Sequence, residues 1–290
     1  MSNYSPLRYP GGKGKLAPYL SELTTLNNLE GGHYAEPFAG GAGVALDLLF
    51  NEKMSHIHIN DLDKSIYSFW NSVVYNTQAF IDLILETDIT IENWRVAKEI
   101  RNHPSNHSEL ELGFSTFFLS RTNRSGILNG GIIGGVSQDG QWKIDCRYNK
   151  GELISRISRI GFFRSRISVT NLDASVFLKK NVKAISGKCL LYIDPPYYLK
   201  GALLYKNHFI HEDHVSLATI VSQVKRHHWI VSYDNVDPIK SIYSIYRQEE
   251  FDINYTARSY ARGSEVMIFS DALSIPPKVY CSERERKLAV

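Results

Sequence analysis

Cysteine is scarce. Three residues, Cys146, Cys189 and Cys281, stand far apart in a chain of 290, with no CxxC pair and no His/Cys metal spacing. Neither a disulfide framework nor a metal site is called for, and a reducing, cytoplasmic setting is the expectation. Long apolar runs are also missing. No stretch approaches the roughly 20 residues of a membrane span, and the opening "MSNYSPLRYP" carries no hydrophobic signal core. The net charge of +3 is too small to name a partner by itself. Acids, however, are thin between Lys143 and Lys188: Asp145, Glu152 and Asp173 face eleven lysines and arginines. A stretch of that kind suits a polyanion, because lysine and arginine gain free energy by releasing counterions from nucleic acid. The remaining composition, 43% hydrophobic, 12% aromatic and 22% charged, is that of a globular domain large enough to carry an insertion.

The periodicity along the chain predicts an α/β fold. "HYAEPF" (33–38) has the character of a short strand, "AGGAG" (39–43) of a glycine turn, and "VALDLLF" (44–50) of a helix. "HIHIN" (56–60) alternates as a strand and ends at Asp61, so the unit opens a doubly wound sheet. Helical patterns follow from about residue 65 to 120, and then periodicity breaks over residues 121–150, which are glycine-rich and polar. Irregular segments of that length inside a domain are usually functional. Strand signals resume at 166–171, 189–194 and 228–234, and the stretch from "FDINYTA" to "EVMIFS" predicts a closing antiparallel hairpin. The organisation expected is a catalytic domain of residues 1–64 and 166–290, interrupted by a mostly helical insertion at 65–165 with a Gly-rich hairpin loop.

Two stretches carry most of the chemistry. The glycine turn lets a ligand approach the backbone, and Asp61, 18 residues after Gly43, is placed to accept hydrogen bonds from ribose hydroxyls. Together they indicate an adenosine-containing cofactor, a dinucleotide or S-adenosylmethionine. The second stretch is "LLYIDPPYYLKG" (190–201), an apolar strand running straight into Asp194-Pro195-Pro196-Tyr197. Two consecutive prolines force the chain out of the sheet and hold it extended. The Asp194 carboxylate and the Pro195 carbonyl then form a pair of acceptors suited to an aryl amine, with Tyr197 as a ring to stack on it. A third stretch, "RYPGGKGKL" (8–16), is basic and rich in glycine, but Leu16 stands where a phosphate-binding loop needs Ser or Thr, and no strand precedes it.

In this order, "RYPGGKGKL", "EPFAGGAG" and "DPPY" resemble the alpha-class, Dam-like adenine-specific DNA methyltransferases over nearly the whole chain. The resemblance implies a Rossmann-like S-adenosylmethionine methyltransferase sheet with a mostly helical DNA-recognition insertion. It places Tyr9 and Lys13 at the methionine end of S-adenosylmethionine, Phe38, Gly40 and Gly43 along the cofactor, and Asp61 at its ribose. Asp173 would lie near the cofactor's adenine, although Ala174 follows it where the family often has phenylalanine. Asp194, also bordering the cofactor, and Pro195 would hold the target amine. Pro196 would fix the extended backbone, and Tyr197 would stack on the flipped base. Arg121, Asn123, Arg124, Asn129, Gln138 and Arg147 are the residue types that pair with base edges or phosphates of double-stranded DNA. The segment "RTNRSGILNGG" departs from family members that read GATC, so that site is not assumed.

The activity implied is site-specific transfer of a methyl group from S-adenosylmethionine to N6 of a flipped adenine, without a metal or a covalent intermediate. No cysteine lies in a Pro-Cys loop, which excludes carbon-5 cytosine chemistry. Two alternatives stay open at this point: an exocyclic-amine cytosine methyltransferase, and a non-catalytic DNA- and cofactor-binding module of a larger complex. The family-level expectation is a monomer in a bacterial or phage-infected cytoplasm, with any cognate restriction enzyme on a separate chain.

Overall fold

The computed structural model describes residues 4–199, 209–255 and 261–280. The expected turn of the closing hairpin, at 256–260, and Cys281 lie outside the described residues, as do Lys200 and Gly201 at the end of the proline stretch. Among the described residues the strands are β1 (His33–Glu36), β2 (His56–Asn60), β3 (Ile167–Thr170), β4 (Cys189–Ile193), β5 (His228–Asp234), β6 (Arg247–Tyr255) and β7 (Ala261–Phe269). The chain divides into two compact units. One comprises Lys13–Asn60 and the chain from Leu172 onward; the other comprises Asp61–Asn171 and the N-terminal segment up to Gly12.

The first unit is a Rossmann-like α/β sheet in the order β2-β1-β4-β5-β7-β6. β1 pairs in parallel with β2 and β4, and β4 in parallel with β5. β7 runs antiparallel between β5 and β6. The sequence of β4, Cys-Leu-Leu-Tyr-Ile, is buried at every position, as a central parallel strand covered on both faces must be. One side of the sheet packs Phe177, Leu217, Trp229, Val231, Tyr233 and Tyr243 into a core. Helices Ala17–Leu26, Gly43–Phe50 and His211–Ser222 belong to this unit. The first of them starts with Pro18 in its opening turn, where a missing N–H costs nothing.

The second unit is mostly helical: Lys64–Tyr75, Thr77–Glu86, Ile91–Asn102, Glu109–Thr122 and Lys150–Phe162. Its helix starts are written in the sequence. Asp63, Thr90 and Asn149 each accept a backbone N–H of the first turn, and Ser108 with Glu111 forms a capping box. An aromatic core of Phe69, Phe80, Phe114, Phe117, Phe118 and Tyr148 joins these helices, with ring centroids 5.4–6.3 Å apart. At Gly113 the helices touch backbone to backbone, since an added Cβ would lie 2.5 Å from the Ser68 carbonyl oxygen. Residues 123–149 carry turns, a short 3₁₀ segment and one isolated bridge, Asn123 to Ile132, and no strand among them.

Candidate active site

The site is built where β4 leaves the sheet. The prolines end the ladder after Ile193, and every peptide bond here is trans. Ser232, on the neighbouring strand β5, donates to Asp194 Oδ1 at 2.8 Å, and the Tyr192 hydroxyl lies 2.8 Å from Ser232 Oγ. Lys13 Nζ stands 3.3 Å from the same Oδ1. Among the described residues these contacts engage Oδ1 and leave Oδ2 as an acceptor. Burial pushes the Asp194 carboxyl up to about 6; Lys13 opposes the rise and the nearby charge of Glu265 adds to it.

Lys13 itself is buried, 5% exposed, so its ammonium needs partners inside the protein. It donates to Tyr197 Oη at 2.6 Å and to Glu265 Oε1 at 2.9 Å, and it lies 4.8 Å from the centre of the Tyr197 ring. Burial alone would favour its neutral form, but Asp194 and Glu265 reverse that and hold its pKa well above the ordinary lysine value. The Tyr197 hydroxyl donates to Glu265 Oε1 at 2.6 Å. One strand over, Asp234 accepts the backbone N–H groups of Tyr198 and Leu199 at 2.8 and 3.0 Å. The chain after the prolines is thus pinned twice, at a side chain and at its backbone.

The glycine turn completes the arrangement. Gly40 and Ala42 both have positive φ, 45° and 44°, the second an uncommon conformation for a residue with a Cβ. A Cβ at Gly43 would meet the Gly14 backbone at 3.2 Å. Gly14, in "KGKL", and Gly43, in "AGGAG", therefore approach each other main chain to main chain. Asn60, 1% exposed, donates to the carbonyls of Pro37 and Leu172 and accepts from the Leu172 N–H, tying three loop ends together. Glu36, at the end of β1, accepts from the Tyr34 hydroxyl at 2.9 Å. Its burial, with Asp194 adding, pushes it up to about 8.

The other residues singled out from the sequence fall as follows. Phe38 is half-buried and meets Phe209 edge to face at 6.0 Å. Asp173 is exposed and caps the turn that follows by accepting from Ser175 N at 2.8 Å. In the second unit, Tyr9 is half-buried and its carbonyl accepts from Gly12 N. There Asp61 accepts from Asp63 N at 2.9 Å. Arg121 is buried and donates from Nε to the Pro6 carbonyl at 2.6 Å. Asn123, fully buried, accepts from the Trp94 indole at 2.7 Å and donates to the carbonyls of Ile127 and Leu128. Gln138 donates to the carbonyls of Ile133 and Gly135 and accepts from Ile144 N. Arg124, Asn129 and Arg147 are exposed, with Asn129 accepting from Arg101. Sequence reasoning missed Asn60 and Glu265 as parts of this arrangement, and "SYDN" (232–235), which fits the later strand of the family it resembles, carried no definite role for Ser232 or Asp234. The available signal was a polar residue interrupting or ending an apolar strand.

Among the described residues, no group of three or more His, Cys, Asp or Glu could hold a metal ion. No helix among them is long and apolar enough to cross a membrane.

Comparison with known proteins gives one specific match. The family model of the D12 class N6 adenine-specific DNA methyltransferases matches residues 9–257. No curated protein matches the sequence. Among solved structures, a proposed RNA methyltransferase from Pyrococcus horikoshii is 11% identical with a TM-score of 0.43, over 91% of this chain and 88% of that one. The rRNA methyltransferase AviRa from Streptomyces viridochromogenes is 13% identical with a TM-score of 0.39, over 90% and 86%. Likenesses at these scores carry no argument about activity.

Proposed function

Since this chain belongs to the D12 class of N6 adenine-specific DNA methyltransferases, we propose that it methylates the exocyclic amine of an adenine flipped out of duplex DNA, at a defined sequence, with S-adenosylmethionine as donor. Family membership selects adenine over cytosine, and turnover over a silent binding module. The observation that carries the finer reading is Asp194, whose Oδ1 is held by Ser232 and Lys13 while Oδ2 is left to a ligand.

Adenine's amine is a weak nucleophile because its lone pair is delocalised into the ring. Asp194 Oδ2 and the Pro195 carbonyl are the acceptors proposed for its two N–H bonds. Accepting both favours a pyramidal nitrogen with its lone pair free to attack. The acceptors supply orientation, which is where most of the acceleration would come from. Extruding the base from the stack costs roughly a few kcal/mol, and Tyr197, held at its hydroxyl, offers a ring whose position is already set.

S-adenosylmethionine supplies, when bound, a methyl group on a sulfonium centre. The first unit suits such a cofactor: Gly40 is left-handed, and Gly43 and Gly14 leave no room for a side chain between them. Phe38, Gly40, Gly43, Asp173 and Asp194 are the residues of this unit proposed to line it. Tyr9 and Asp61 are assigned to it on the motif order. Lys13 meets the protein's own carboxylates, and we give it the role of holding Asp194; reaching a methionine carboxylate would require it to leave those partners.

Mapping modified bases in DNA incubated with the protein and S-adenosylmethionine tests this reading. N6-methyladenine at a recurrent sequence is the expected result. N4-methylcytosine, or unmodified DNA, would reject it.

A further inference from the structure

Glu265 stands at the head of the apolar run of β7, between Ser264 and Val266, and is fully buried. A carboxylate in that position is costly unless it is paired. Its Oε1 accepts from Lys13 at 2.9 Å and from the Tyr197 hydroxyl at 2.6 Å, while Lys13 also donates to that hydroxyl at 2.6 Å. These three groups close a triangle, and its Lys13 corner reaches Asp194 Oδ1 at 3.3 Å. Glu265 is also the cross-strand partner of Asp234, which holds the backbone of Tyr198 and Leu199.

We propose that Glu265 is a positioning residue for methyl transfer, fixing the Tyr197 ring and, through Lys13, the Asp194 carboxylate that receives the substrate amine. The inference rests on the reading of Asp194 given above. It has an electrostatic consequence that mere packing would lack. The groups around Asp194 are Lys13, Ser232 on β5, Glu265 on β7, Tyr192 on its own strand, Tyr197 beyond the prolines, and the buried Glu36, Tyr34 and Tyr233. Among them Glu265 pushes the Asp194 pKa up, and Lys13 pulls it down. Removing the Glu265 charge also leaves Asp194 as the carboxylate paired with Lys13, beside the Tyr197 hydroxyl. Both changes lower the pH at which Asp194 ionises.

Glu265→Gln keeps the volume and removes the charge. The expected variant folds, by its thermal melt, and loses about 10- to 100-fold in kcat with KM nearly unchanged. The acid limb of its kcat profile moves to lower pH. Glu265→Asp keeps the charge but withdraws it by one methylene; its acid limb should stay in place while kcat still falls about tenfold. Wild-type kcat with an unmoved limb in Glu265→Gln overturns the proposal. Should that variant not fold, wild-type kcat in Glu265→Asp overturns it instead. A DNA-free arm separates this inference from the proposed function. In infrared pH-difference spectra, the carboxylic-acid band missing from Asp194→Asn reports Asp194, and its midpoint should drop in Glu265→Gln. Wild type that fails to methylate adenine defeats the functional reading, and the infrared arm then decides on Glu265. Active wild type with an unmoved infrared midpoint in Glu265→Gln defeats the role of Glu265 alone.

Discussion

The end of β4 and residues 121–149 are both polar and both lie where a regular element gives way to irregular chain, yet they use their side chains in opposite ways. Beyond β4, Ser232 and Lys13 hold Asp194 Oδ1, and Oδ2 is the oxygen proposed to take a ligand. In the second unit, Arg121, Asn123 and Gln138 spend their hydrogen-bonding groups on backbone of the protein itself. An irregular, partly buried chain must satisfy its own carbonyls and N–H groups, because no ladder does so for it. Side chains suited to reading base edges are the same ones suited to that task. Burial separates the two uses: Arg121 is 8% exposed and Asn123 0%, whereas Arg124, Asn129 and Arg147 lie at the surface.

The sharpest way to break this contrast is at its catalytic pole. Asp194→Ala should reduce methyl transfer at least about 10³-fold, with cofactor binding by calorimetry largely kept; an active variant would remove the asymmetry between the two regions. At the structural pole, Arg121→Ala should destabilise the fold by about 3 kcal/mol, read by denaturant melts. A variant of normal stability but weakened DNA binding would return Arg121 to the DNA-facing set.

A pH series sharpens the comparison further. In the role proposed for it Asp194 accepts N–H bonds as a carboxylate, so activity should rise through its value of about 6; about one unit below, it should be about a tenth of the plateau. Stability should move the other way. Glu36, raised to about 8, keeps a proton in the folded chain that the unfolded chain has already released. Stability therefore falls as pH rises from the ordinary carboxylate range through about 8. Glu36→Gln should flatten that decline in thermal melts, without moving the acid limb of activity more than slightly. The smallest effects belong to the exposed residues. Arg124→Ala and Arg147→Ala should each weaken DNA binding a few-fold and lower the salt slope by about one, with melts unchanged.

Legibility in the sequence followed the range of the forces involved. The strand, glycine turn, helix and strand of residues 33–60 were visible because alternation and helical spacing are local signals. Helix starts at Asp63, Ser108 and Asn149 likewise depend on neighbours three residues away at most. The proline pair marks where β4 must stop, and it stops there. What joins Lys13 to Glu265 across 252 positions of sequence is a tertiary contact, and no local pattern announces it. The one hint was an acid opening "EVMIFS", a charge next to an apolar run that is buried at every position. Similarly, the expected Gly-rich hairpin is a run of turns tied by Asn123 and Gln138, because side chains rather than a ladder satisfy that backbone.

Asp234 and Glu265 face each other on one rung between β5 and β7. A slip of β7 by a single residue would still let main-chain hydrogen bonds form, but it would turn Glu265 to the opposite face of the sheet. Lys13 and Tyr197 would then lose their shared partner, although the sheet itself survived. With Glu265 in its proposed role, the rung would work as a checksum on assembly: a molecule whose β7 is misaligned would be compact and still catalytically mute, so folding fidelity and competence would be verified at the same pair of residues.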